Sequence, residues 1–207
     1  MVQVCLFDVN ETLLDLGALD PHFERAFGVS GVRQQWFAQF IQNAFIATIT
    51  GHYQPFGAIG AAALDMIAAR REVPLSSADR GAILGGIREL PPYPEVRAAL
   101  DRLRGAGIRL ATLTNSTAEV AAAQLAHAGL IDIFEKTLSA DEVQHLKPTS
   151  EPYHYAAKCA FRPNGPPGPG ETDHQFQAMS TRRLERRWIG HHTASCSGGP
   201  RVSGLFA

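Results

Sequence analysis

The stretch VCLFDVNETLLD, residues 4–15, changes character in the middle. Val4, Cys5, Leu6 and Phe7 are apolar, and residues 3–9 read as a short buried strand. The run stops at Asp8, and a polar group, Asn10-Glu11-Thr12, follows before Leu13 and Leu14. An open parallel sheet places its ligands at the carboxyl ends of its strands. A carboxylate delivered there can serve a ligand or simply close a turn, and for an isolated aspartate the turn is the plainer reading. The meaning of Asp8 therefore depends on what else the chain brings to it.

Two later segments repeat the pattern. IRLATLTN (108–115) is a second buried strand ending in polar residues, with Ser116 next, and EKTLS (135–139) is a third. An amphipathic helix from Pro94 to about Arg104 is stopped by Gly105 and Gly107. Thr117 can cap the next helix, with Val120, Ala121, Leu125 and Leu130 on its inner face. A further helix runs from Tyr153 to Cys159. The strand-helix-strand-helix order predicts an α/β fold, a doubly wound parallel sheet covered by helices.

One block breaks this alternation. Residues 19–90 read as mainly helical, with Phe23, Phe27, Trp36, Phe37, Phe40, Ile41, Ala44 and Phe45 at helical spacing, broken by Gly28 and Gly31. Ala58 to Ala69 is another helix, and Ser76 can start the next. The three prolines of LPPYPEV (90–96) mark a hinge, because they cannot sit inside a helix. The expected organisation is an α/β core over 1–13 and 92–160, with a helical cap over 14–91 standing as a lid above the strand ends. Trp36, Phe40 and Phe45 are expected to pack inside that cap. Residues 161–207, rich in Pro, Gly and Arg, carry no convincing strand and are expected to be irregular or disordered. The sheet then lacks its last strands.

Composition removes several function classes. The net charge of −1 gives no electrostatic case for nucleic acid or an anionic membrane. Cys5, Cys159 and Cys196 are odd in number and form no CxxC pair, so neither a disulfide framework nor a zinc site is indicated. No segment reaches bilayer-spanning length, and a cytoplasmic setting is the default.

The candidate chemistry gathers where the strands end. Asp8 can attack as a nucleophile and form an ester that water cleaves. Thr12 offers a hydroxyl, Thr114, Asn115 and Ser116 offer donors, and Lys147 in HLKPTSEPY offers a cation to hold the carboxylate. Each has a plainer alternative: Lys147 as a solvated loop lysine, Asn115 as a turn residue. The order is more specific than its members: strand-Asp-x-x-x-Thr, strand-Thr-Asn-Ser, then Lys-Pro.

On the stretches FDVNETL, LATLTNS and LKPTSEPY, the chain resembles the haloacid dehalogenase superfamily, and within it the type II 2-haloacid dehalogenases, over residues 3–159. The resemblance implies that Asp8 is the nucleophile, that Lys147 pairs with it, and that Asn115 completes the catalytic group. Thr12, Asn10, Thr114, Ser116 and Tyr153 would contact the nucleophile, substrate or leaving group. It also implies a haloalkanoic acid as the small-molecule partner, no cofactor and no metal; the cap aromatics could serve a homodimer. Phosphatases of the superfamily carry a second aspartate two residues after the nucleophile, where this chain has Asn10. An amide cannot protonate a leaving alkoxide, whereas halide leaves as a stable anion, so Asn10 favours carbon–halogen cleavage. A Mg²⁺-dependent phosphatase and a catalytically impaired core are the alternatives.

Two departures from the family stand in the sequence. Phe37 follows Trp36 where a cap arginine is expected, with Arg33 one helical turn away as a substitute. The fourth, acidic motif is missing: Asp173 and His174 lack a preceding strand, and His191-His192 has no companion ligands. A reading-frame change after about Cys159 would account for this, since RLERRW (183–188) could be encoded so that a one-nucleotide shift gives Ala-Trp-(Asn or Ser)-Val-Gly-Gly.

Overall fold

The computed structural model describes residues 4–160 and two short strands at 176–179 and 202–204. Strand β1 (Val4–Phe7) is followed by four helices, α1 (Asp20–Phe27), α2 (Val32–Ile49), α3 (Phe56–Arg70) and α4 (Ser77–Gly86). The alternation then resumes with α5 (Val96–Gly105), β2 (Arg109–Thr114), α6 (Ala118–His127), β3 (Lys136–Ser139) and α7 (Ser150–Ala160). The strands β4 (Phe176–Met179) and β5 (Val202–Gly204) complete a sheet of order β3-β2-β1-β4-β5. Every pairing in it is parallel.

Strand β1 is buried on both faces, as a central parallel strand must be. Cys5 and Phe7 join the large apolar cluster that continues into the cap, while Val4 and Leu6 pack with Ala111, Leu113, Leu138 and Ala156 on the other face. Phe7 meets the edge of Phe134 at 6.1 Å. The expected missing strands are a point of difference: β4 pairs with β1, Phe7 opposite Met179, and β5 pairs with β4. Without β4 the backbone groups along one side of β1 would be an open edge. Both strands stand in a stretch of sequence rich in Pro, Gly and Arg, where no clear apolar run marks them. The rest of the tail, including Asp173, His174, residues 183–188, His191, His192 and Cys196, lies outside the described residues.

The cap holds together through aromatic rings. Trp36 is fully buried, with ring centroids 5.3 Å from Phe23 and 5.6 Å from Phe40, and Phe40 lies 4.2 Å from Phe56. The Trp36 indole N–H donates to the Gly60 carbonyl at 2.9 Å, which satisfies the buried polar tip. That approach needs glycine: a Cβ at position 60 would stand 2.9 Å from the Phe40 ring. Phe45 departs from expectation and is exposed. Trp36, Phe40 and Ala44 recur every fourth residue on the buried face of α2, and Phe45 lies one step, about 100°, further round. Ser76 caps α4 and Thr117 caps α6, each accepting from a backbone N–H three residues on.

The two chain segments that enter and leave the helical block run side by side. Asp15 N–H donates to the Pro91 carbonyl at 2.9 Å and Tyr93 N–H to the Leu13 carbonyl at 3.0 Å, with Leu14 bridged antiparallel to Pro92. No helix among the described residues is long and apolar enough to cross a membrane.

Candidate active site

The carbonyl of Val9 organises the turn after β1. It accepts from Leu13 N–H at 2.9 Å, Leu14 N–H at 3.0 Å and, more weakly, Thr12 N–H at 3.4 Å. Val9 and Thr12 are buried in this turn, and Glu11 takes a left-handed backbone, φ 60°, while its carboxylate accepts from Leu16 N–H. The tightness of the turn leaves Asp8 at the lip of the sheet with 45% of its side chain exposed.

Lys147 closes on it. Its ammonium donates to Asp8 Oδ1 at 2.6 Å and to the Leu113 carbonyl at 2.6 Å, with only 15% of the side chain exposed. A nearly buried ammonium needs such partners, and a charge-assisted bond of this length holds the carboxylate in one orientation. Asn115 acts on the lysine: its Oδ1 accepts from Lys147 N–H at 2.8 Å and its Nδ2 points back to the Lys147 carbonyl at 3.5 Å. The side chain of Asn115 therefore clamps the loop that carries Lys147. Tyr153, on α7, is half-buried; burial first, and then the negative charge of Asp8, push its phenol above the usual range.

A second network joins the strand ends. Thr114 Oγ1 accepts from Ser116 N–H at 3.2 Å, and Ser139, at the end of β3, donates its hydroxyl to the Ser116 carbonyl at 2.7 Å. Asn10 Nδ2 donates to Ser116 Oγ at 3.4 Å. The opposite end of the same amide, Oδ1, accepts from Gln124 Nε2 at 2.9 Å. Gln124 is fully buried on α6, and its second N–H goes to the Ile87 carbonyl at 2.8 Å. Both donors are used, so the amide orientation is set, and Gln124 Oε1 is left buried without a partner.

The structure thus brings Asp8, Lys147 and Asn115 into one hydrogen-bonded group, and Asn10, Ser116 and Thr114 into another. Sequence reading misses Gln124. The available signal was a polar residue between Ala121 and Leu125 on an apolar helix face. It also misses Tyr53, on the loop between α2 and α3, whose hydroxyl donates to Asp141 just past β3. Arg33 does not stand in for a cap cation that faces the site. Its guanidinium is taken by Asp20, at 2.7 Å and 3.4 Å.

A cavity of about 220 Å³ lies beside the turn, lined by Asn10 and Ser116 from the core and by Trp36, Phe37, Phe40, Phe56 and Arg88 from the cap, among others. Asp8 itself is not in its wall; Asn10, two residues on, is. No group of three or more His, Cys, Asp or Glu among the described residues is placed to hold a metal ion. At the turn the donors fit Mg²⁺ poorly, because Asp8 is already paired with Lys147 and the neighbouring position presents an amide.

A parallel sheet with a helical insertion after its first strand, and an aspartate–lysine pair at the strand ends, makes this a capped α/β protein with its polar site at the carboxyl ends of the strands. The chain belongs to the haloacid dehalogenase-like hydrolases, whose family pattern matches residues 2–165. It is 28% identical over 159 residues to (S)-2-haloacid dehalogenase 2 of Pseudomonas sp. strain CBS-3, covering 76% of this chain and 69% of that one. The L-2-haloacid dehalogenase of Xanthobacter autotrophicus has a similar fold, with a TM-score of 0.74 at 22% identity over 86% of this chain and 69% of that one. A phosphoglycolate phosphatase of Neisseria meningitidis is 40% identical, but over 67 residues, 32% of this chain and 28% of that one.

Proposed function

We propose that the chain is a 2-haloacid dehalogenase acting through an aspartyl ester. An oxygen of Asp8 attacks the halogen-bearing carbon, a C–O bond forms, and the C–X bond breaks with its electron pair leaving as halide. Water then attacks the ester carbonyl, which returns the Asp8 carboxylate and releases the 2-hydroxy acid and a proton. Lys147 holds Asp8 in one orientation for attack, and Asn115 holds the loop that carries Lys147. Thr12, Thr114, Ser116 and Tyr153 shape the surroundings of the reacting group.

The observation that carries this reading is the amide at Asn10, bonded at both ends to Gln124 and Ser116. A phosphatase needs a proton donor for its leaving alkoxide, and this position offers none that it can give and recover. The phosphatase reading rests on the local likeness to a phosphoglycolate phosphatase. One assay separates the readings: halide release from racemic 2-chloropropionate and phosphate release from phosphoglycolate, each with EDTA and with Mg²⁺. Halide release that survives EDTA supports the dehalogenase, Mg²⁺-dependent phosphate release overturns it, and neither product marks an impaired core.

The proposal includes a cytoplasmic setting, supported by the free thiols Cys5 and Cys159. It also includes a homodimer through the cap, supported by Phe45, Ile46 and Ile49 standing exposed on α2. Sedimentation of Phe45→Glu against the unaltered chain tests the dimer; an unchanged mass removes it.

A further inference from the structure

We propose that the cavity beside Asn10 recognises an apolar carboxylate, and that Arg88 is the residue that binds its charge. This rests on the dehalogenase reading for its substrate class and extends it to acids with a bulky apolar substituent.

The wall of the cavity is unequal. Trp36, Phe37, Phe40 and Phe56 present aromatic carbon, Asn10 and Ser116 present polar groups, and Arg88 is the one charged residue lining it among the described residues. At about 220 Å³ it is smaller than the ~300–1,000 Å³ sites that take drug-sized ligands, and matches a small acid with a hydrocarbon body. A guanidinium beside a low-dielectric wall attracts an anion more strongly than one in open water, and its planar fork matches a carboxylate.

The present partner of Arg88 does not hold it firmly. Arg88 Nη2 meets Glu119 Oε1 at 3.3 Å, with the two side chains 50% and 85% exposed. Pairs of this kind are worth little and exchange readily for a better-matched anion. The backbone beside Arg88 is, by contrast, fixed, because the Ile87 carbonyl is tied to buried Gln124. Arg33 cannot compete for the role while Asp20 holds its guanidinium. The wall thus offers an acid one cation at Arg88, aromatic carbon for its apolar substituent, and the amide and hydroxyl of Asn10 and Ser116.

Equilibrium binding tests this without any chemistry. The full chain is titrated with 3-phenylpropionate and with the neutral 3-phenylpropionamide, followed by tryptophan fluorescence, since Trp36 lies in the wall. The acid is expected to bind at least ~10-fold more tightly than the amide, the worth of one good charge-assisted pair. Arg88→Met is expected to weaken the acid by that factor and leave the amide unchanged, with Arg88→Lys between, and Glu119→Gln to leave acid binding equal or tighter. Equal affinity for acid and amide, no effect of Arg88→Met, or no saturable binding of the acid overturns the proposal. A chain that binds the acid in this way and releases no halide from 2-chloropropionate keeps the site and loses the dehalogenase reading. Halide release with no effect of Arg88→Met removes the Arg88 assignment alone.

Discussion

The hydroxyl of Tyr53 donates to the carboxylate of Asp141, tying the loop between α2 and α3 to the segment just past β3. The link joins the helical insertion to the core. Burial, and then the hydrogen bond and negative charge of Asp141, push the Tyr53 phenol well above its usual range. A raised value means the contribution to stability is complete below the ordinary tyrosine value, about pH 10, and is lost as pH rises beyond it. Tyr53→Phe is expected to remove one late-titrating phenol from the alkaline absorbance curve. Its KM for a 2-haloacid should rise several-fold with kcat less affected. Loss of a phenol that titrates in the ordinary tyrosine range instead would show that the link is not formed in solution.

Asp8→Asn removes the attacking charge and preserves the shape. Halide release is expected to fall by at least ~10³-fold, as when a covalent nucleophile is lost. A single turnover of the unaltered chain in ¹⁸O-water should leave label on Asp8 before product carries it, read by mass spectrometry of the Asp8 peptide. Label found in the product alone would rule out the ester route.

Asn10→Asp places a second carboxylate two residues from the first. The added negative charge opposes the approach of a haloacid carboxylate, so halide release at neutral pH is expected to fall, with KM rising. Mg²⁺-dependent phosphate release is not expected to appear with this change alone.

Gln124→Leu removes both donors that hold Asn10 Oδ1 and the Ile87 carbonyl. Losing them should cost about 1–3 kcal/mol in urea unfolding, partly offset because the unpaired Oε1 is removed too. Gln124→Glu should cost more, because it faces two acceptors with a carboxylate. Equal stability of the two variants would contradict the orientation given to this amide.

Gly60→Ala drives a methyl to within 2.9 Å of the Phe40 ring. Overpacking of this kind costs about 1–3 kcal/mol. The strain falls on the wall of the cavity, so acid affinity and thermal stability should drop together. A stable Gly60→Ala variant with unchanged affinity would mean that α2 and α3 have room to separate.

The parts that were legible before the fold was known are those with local causes. β1, β2 and β3 announce themselves as apolar runs that end in polar groups, and Thr117 and Ser76 announce helix starts through their side-chain oxygens. The pairing of Asp8 with Lys147 was expected through a family likeness; the sequence separates them by 139 positions. Gln124 and Arg88 were not legible, because what matters about each is set by distant chain segments that no periodicity encodes. Strands β4 and β5 stand in a Pro-, Gly- and Arg-rich stretch without a clear apolar run, and their place follows from pairing beside β1. Phe45 reads as core by composition and faces outward by a single step of helical phase.

The bonded pair of segments at Leu13–Asp15 and Pro91–Tyr93 makes the helical block a cassette in the covalent sense. Its two ends lie side by side, so another insertion of any length could be spliced there without stretching the core, as sites with adjacent termini allow. The apolar cluster says otherwise about energy, since it runs unbroken from Phe7 and Val9 through Leu14 and Leu19 to Trp36 and Leu64. An exchanged insert would have to bring its own matching underside. This neck therefore permits replacement of the helical block by shuffling while the shared interior restricts which replacements survive.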